Sequence, residues 1–140
     1  MPLYLKCNKG NCGTCAYILE TDIVYLKNFF TNEVAHFKLL KPFSCTSKNV
    51  IYKITCNECS QFYIGETVHL RNRVTQHKSS LRYEYNRVMK VHKHLHECAN
   101  NHPIPFNIVP FYYVTQGTLT ARLTIENYFF RKYKPTLNGF

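Results

Sequence analysis

The chain predicts a small α/β domain, and three observations carry that expectation. Two short β-branched and aromatic runs, Val50-Ile51-Tyr52 and Tyr63-Ile64-Gly65, place their tyrosines eleven residues apart around a cysteine-bounded turn. Helical patterns run from Leu70 to Arg82 and from about Thr118 to Tyr133. A third apolar run, Phe106–Val114, lies between them and suits one more strand. With 140 residues, 45% hydrophobic and 15% aromatic, the chain has the material for one packed domain.

Residues 1–48 read as a cysteine-bearing lead-in without a helical stripe, in which Ile23–Leu26 and Ala35–Phe37 suit short strands. Val50–Thr55 is bounded by polar Ser47-Lys48-Asn49 and by Cys56-Asn57-Glu58-Cys59. It predicts a strand turning into a second one at Gln61–Ile64, with Gly65 permitting a tight exit into a helix. In that helix Leu70, Val74 and Leu81 form one apolar stripe. Residues 84–98 predict a second helix. Pro103 and Pro105 mark an extended passage, and Pro110 demands an edge or a bulge in the strand 106–114. Thr118 suits the cap of a last helix, which Pro135 stops. The expected division is a lead-in, 1–48, and a main domain, 49–140.

Eighteen Lys and Arg against eight Asp and Glu give a net charge of +10, a field that favours nucleic acid or an acidic membrane surface. No apolar run approaches the ~20 residues needed to span a bilayer. The start, Met1 to Cys7, lacks a hydrophobic signal region, which speaks against secretion. In a reducing compartment the seven cysteines then read as metal ligands rather than disulfides.

Arg73 and His77 fall inside the apolar stripe of the first helix. A solvated helix edge with a structural histidine would place them there, but an active-site edge facing a phosphate explains both residues at once. Arg71, Lys78 and Arg82 occupy a neighbouring flank that suits nucleic-acid binding. In the last helix Glu126 shares a face with Leu119, Leu123, Phe130 and Tyr133. A carboxylate there needs either an ion-pair partner such as Arg73 or a metal; Mg²⁺ commonly takes only one or two carboxylates. Glu66 is a second acidic residue near this region, equally explained by a helix N-terminus.

Cys56 and Cys59 form a C-x₂-C knuckle, and His96 with His102 supplies a second pair at a usual zinc spacing. His92, His94 and Cys98 crowd that second pair. Cys7, Cys12 and Cys15, with Gly10 and Gly13 allowing a tight loop, need a fourth ligand, for which Cys45 is the natural choice and His36 the alternative. Zinc suits both clusters; an iron–sulfur cluster would also use four thiolates.

The two tyrosine runs, the Leu70–His77 stretch and Glu126 together resemble the GIY-YIG nuclease family, with Val50 in place of the family's first Gly. Glu126 to Asn138 resembles the family's final motif, including its Asn. The resemblance covers roughly residues 48–140 and implies a small three-stranded antiparallel sheet flanked by helices. It further implies metal-dependent hydrolysis of DNA phosphodiesters. Tyr52 would lie beside the attacking water, with Tyr63 positioning a phosphate or water, Arg73 neutralising the phosphate, and Glu126 holding Mg²⁺ or Mn²⁺. Either Tyr52 or His77 would take the proton. Asn138 joins the nucleic-acid-binding set by the same likeness. Two Cys between the motifs and two His afterwards resemble the Penelope-like retroelement branch, as does a cysteine-rich stretch before the nuclease. That likeness implies a nuclear endonuclease opening target DNA for a reverse transcriptase domain. The alternatives are a zinc-dependent nucleic-acid-binding module without catalysis and a non-nuclease interaction domain on the same frame.

Overall fold

A computed structural model of the protein describes Tyr4, Leu5, Cys7 and residues 12–139; Gly10 of the expected thiolate loop lies outside them. Five strands and three α-helices follow in the order β1 (Ile23–Lys27), β2 (Val34–Lys38), β3 (Lys48–Cys56), β4 (Phe62–His69), α1 (Leu70–Arg82), α2 (Lys90–Cys98), β5 (Phe106–Tyr113) and α3 (Leu119–Tyr133). The sheet that matters for the site is three-stranded and antiparallel, as the family resemblance implies, and its order is β4-β3-β5. β3 is central and its Val50, Ile51, Tyr52 and Ile54 are fully buried.

Pro110 does both things expected of it. β5 is an edge strand, and its register to β3 slips between Ile51↔Tyr112 and Tyr52↔Pro110, leaving Phe111 as the bulged residue. Part of the free edge is covered by the lead-in, where the Leu19 N–H donates to the Ile108 carbonyl at 3.1 Å.

β1 and β2 pair as an antiparallel hairpin of their own. Val24 and Leu26 are buried, and Phe37 meets Phe111, Phe129 and Tyr133 at ring-centroid distances of 6.0, 5.9 and 6.1 Å. The lead-in thus shares one continuous apolar core with the sheet and α3.

Two boundaries and the buried face of one helix differ from the sequence reading. β4 runs on to His69, so Gly65 lies inside a strand rather than at its exit. The second helix begins only at Lys90; Glu84–Asn86 is a single 3₁₀ turn. Tyr83 is extended there, and the Arg87 guanidinium turns back to donate to the Leu81 carbonyl at 2.8 Å, closing α1 instead of starting α2. In α3 the buried face is Arg122, Phe129 and Tyr133, whereas Leu119 and Leu123 are about half exposed. Glu126 is half-buried at the border of that face, not at the centre of an apolar one. Thr118 caps α3 as expected, accepting from the Ala121 N–H at 3.1 Å.

Candidate active site

The register of β3 and β4 sets the site. Tyr52 pairs with Gly65 and Ile54 with Tyr63, so alternation along the strands brings both phenols to one face. Their rings lie 6.2 Å apart. α1 crosses this face through Leu70, Val74 and His77, and the His77 ring stands edge-on to both phenols at 5.8 Å. Its Nε2 meets the Tyr52 hydroxyl at 2.8 Å, and its Nδ1 meets His92 Nε2 at 2.7 Å. Tyr52, His77 and His92 are all buried.

Gly65 is required because the Tyr52 phenol lies across it. A Cβ at that position would overlap the Tyr52 hydroxyl and come within 2.5 Å of Cζ.

Burial governs the protonation states. It pushes the Tyr52 phenol well above its usual range, and Tyr63 and Glu126 add to the effect while Arg73 opposes it. Tyr63 is raised for the same leading reason. His77 is held down to about 3 by desolvation, then by His92 and Arg73, so it is a neutral imidazole at physiological pH. Glu126 is raised to about 7, first by desolvation and then by Glu66, with Arg73 and the Glu66 backbone working the other way. Arg73 therefore lies within electrostatic reach of four of these groups, and its buried Nε has no hydrogen-bond partner. No ion pair joins it to Glu126 among the described residues. A cleft of about 490 Å³, lined by Thr120, Leu123, Thr124, Glu126 and Asn127, opens beside the carboxylate.

The GIY-YIG catalytic-domain family model matches residues 48–139. The chain belongs to the GIY-YIG family. This is a nuclease family whose members are metal-dependent and for which DNA is the implied substrate. No curated protein and no solved structure matches the chain.

Within this GIY-YIG domain the polar and charged neighbours make specific contacts of their own. Glu66, in β4, accepts from Arg122 Nε at 2.7 Å. Arg122 is itself buried and also donates to Asn49 Oδ1 and the Gly117 carbonyl. Asn138 brackets the Ile64 peptide, accepting from its N–H at 2.9 Å and donating to its carbonyl at 2.8 Å. It braces the strand between Tyr63 and Gly65. Arg71 and Lys78, on the neighbouring flank of α1, both reach the lead-in. Arg71 donates to Cys45 Sγ at 2.9 Å, and Lys78 donates to the Gly13 carbonyl at 3.3 Å and covers the Tyr17 ring. Arg82 is exposed.

Two clusters could hold metal. Cys7, Cys12, Cys15 and Cys45 bring their sulfurs within 4.8 Å of one another. The Cys7–Cys15 and Cys12–Cys45 separations of 3.5 and 3.9 Å bracket the ~3.8 Å edge of a tetrahedral ZnS₄ centre with ~2.3 Å bonds. His36 is exposed on β2 and takes no part. The second cluster contains Cys56 and Cys59, but its other members are His94 and Cys98, not His96 and His102. Residues 94 and 98 are four apart and share one side of α2, with His94 Nε2 3.1 Å from Cys59 Sγ. His96 falls on another side and is exposed; His102 meets Glu58 at 2.5 Å instead. Both donor sets, Cys₄ and Cys₃His, fit structural zinc.

The sequence reading missed His92, treating it only as crowding around the zinc pair. Its signal lay in the helix register, because His92 and His94 project to opposite edges of the buried stripe Val91–Leu95.

Proposed function

We propose that this chain is an endonuclease that nicks target DNA with Mg²⁺ or Mn²⁺, in the manner of the Penelope-like retroelement nucleases. In this reading residues 1–48 are a zinc-pinned lead-in to the nuclease domain 49–140, and the nick serves a reverse transcriptase in the nucleus. The observation that supports catalysis is the convergence of Tyr52, Tyr63, Arg73, His77 and Glu126 on one side of the β3–β4 hairpin.

Each group has a task set by its environment. A water lying against the Tyr52–His77 pair attacks phosphorus, and the pair takes its proton as the P–O bond to the leaving oxygen breaks. Tyr63 hydrogen-bonds the water or a phosphate oxygen. Arg73, with a buried unpartnered Nε, meets the non-bridging oxygens and strengthens its hold as charge builds on them. Glu126 would hold the divalent ion, which would supply positive charge beside the phosphate and the leaving oxygen. A desolvated carboxylate beside Glu66 fits that task, since a cation relieves the repulsion that raises its pKa. The Cys₄ and Cys₃His sets hold zinc that fixes the lead-in to α1 and α2 to the β3–β4 turn.

Supercoiled plasmid incubated with the zinc-loaded chain should give nicked circles only when Mg²⁺ or Mn²⁺ is added. Glu126→Ala should remove this activity by several kcal/mol of transition-state stabilisation while remaining folded. DNA binding without any nicking would replace the enzyme with a zinc-dependent binding module.

A further inference from the structure

The structure assigns His92 a role of its own. We infer that it is a positioning residue that donates from Nε2 to His77 Nδ1 and thereby fixes His77 in the tautomer whose Nε2–H points at the Tyr52 oxygen. The activity arm rests on the nuclease reading above; the tautomer itself does not.

The geometry gives a chain of three buried groups, Tyr52 Oη to His77 Nε2 at 2.8 Å and His77 Nδ1 to His92 Nε2 at 2.7 Å. Two directions of proton order are possible along it. If Tyr52 donates to His77, then His77 Nδ1–H donates to His92 Nε2, and His92 must carry its proton on Nδ1. That atom is buried and meets no hydrogen-bond partner. An N–H buried there would lose its water without replacement. The opposite order puts the protons where the partners are. His92 Nε2–H donates to His77 Nδ1, and His77 Nε2–H donates to the Tyr52 oxygen. The Tyr52 hydroxyl donates to the neighbouring Tyr63 hydroxyl, and the bare edge of the chain is a lone pair, which is tolerated more readily than an orphaned N–H.

This order has a chemical consequence. A phenol desolvated at 0% exposure holds its proton tightly, so a base role for Tyr52 needs donors aimed at its oxygen. The His92→His77→Tyr52 order supplies one from His77, whose ring stands 5.8 Å from both phenols. It also means that His77 Nε2 already carries a proton, so the imidazole does not take the water's proton. Tyr52 takes it as phenolate, after releasing its own proton to solvent, and the phenolate is the state a donor at its oxygen favours. His92 is held in place by its helix: Val91 and Leu95 are fully buried beside it, and His94 and Cys98 tie the other edge of α2 to Cys56 and Cys59.

Long-range ¹H–¹⁵N spectra of the imidazole nitrogens in the zinc-loaded wild-type chain test this directly. Protonated Nε2 and bare Nδ1 on His77 are expected, and a His77 with its proton on Nδ1 would overturn the proposal whether or not the chain cuts DNA. In His92→Phe, the two His77 tautomers should mix, and kcat for plasmid nicking should fall about 10- to 100-fold with KM and zinc content unchanged. His92→Gln, which keeps a donor near the Nε2 position, should restore the single tautomer and most of kcat. An unchanged His77 tautomer in His92→Phe would also overturn it. A wild-type chain with the expected tautomer but no nicking would leave the positioning role standing and remove only the nuclease reading.

Discussion

Gly65→Ala is the substitution whose consequence can be worked most directly from the structure. The new Cβ would lie 2.5 Å from Tyr52 Cζ and 2.9 Å from Cε1, with the hydroxyl oxygen overlapped as well. Carbon atoms pack at ~3.5–4.0 Å, so the ring must retreat by about 1 Å. It has nowhere open to go, because Tyr52 is fully buried and packs against the Tyr63 and His77 rings. Overpacking of this kind costs ~1–3 kcal/mol, and loss of the Tyr52–His77 hydrogen bond adds about 1 kcal/mol. At roughly 4 °C per kcal/mol for a chain of this size, the melting temperature should fall by about 8–16 °C. A misplacement of ~1 Å at a reacting group should lower nicking by about 100-fold in the fraction that stays folded. Thermal melts beside a plasmid-nicking assay measure both. The Tyr52→Leu background supplies the control, because the shorter side chain vacates the space and the glycine substitution should then cost under about 1 kcal/mol. A Gly65→Ala protein that melts and nicks like wild type, or one equally destabilised in the Tyr52→Leu background, would refute the clash as the reason for the glycine.

Arg122→Met should destabilise by about 3–5 kcal/mol, because it leaves Glu66 buried and unpaired, and Glu66→Leu in the same chain should recover most of the loss in urea titrations. His77 makes stability fall with acid. Its folded pKa of about 3 lies below the unfolded value, so between pH 6.5 and 3 only the unfolded chain gains the proton. The loss should reach about 2 kcal/mol at pH 5 relative to pH 8, and His77→Gln should remove that share of the pH dependence. Mn²⁺ affinity should drop as pH falls below about 7, where Glu126 takes up its proton, and the drop should begin at lower pH in Glu66→Gln. Cys98→Ser and His94→Ala should each cost one zinc per chain by metal analysis, whereas His96→Ala and His102→Ala should keep full zinc.

Several parts of the site were readable from the chain itself. Tyr52 and Tyr63 follow from two short strands joined by a turn, since a hairpin and a period of two leave little freedom in where alternate side chains go. Arg73 and His77, four residues apart on a helix, face the same way whatever packs against them. Cys7, Cys12 and Cys15 are close in sequence, so local chain geometry nearly assembles them, and Cys45 was the remaining thiol that could join them. Each of these depends on short-range periodicity or on residue type.

What the tertiary structure decided depends on contacts between distant segments. His94 and Cys98 displaced His96 and His102 because the ligand edge of α2 is set by how Val91 and Leu95 pack, which spacing alone does not reveal. Arg71 and Lys78 were drawn to the lead-in because the Cys₄ cluster docks on that flank of α1. Gly65 became obligatory only when the Tyr52 ring folded across it from the neighbouring strand. His92 carried no motif at all. A histidine acquires a buried hydrogen-bonding partner only when another helix brings one within 2.7 Å in a dry interior, and that juxtaposition belongs to the folded packing rather than to any stretch of the chain.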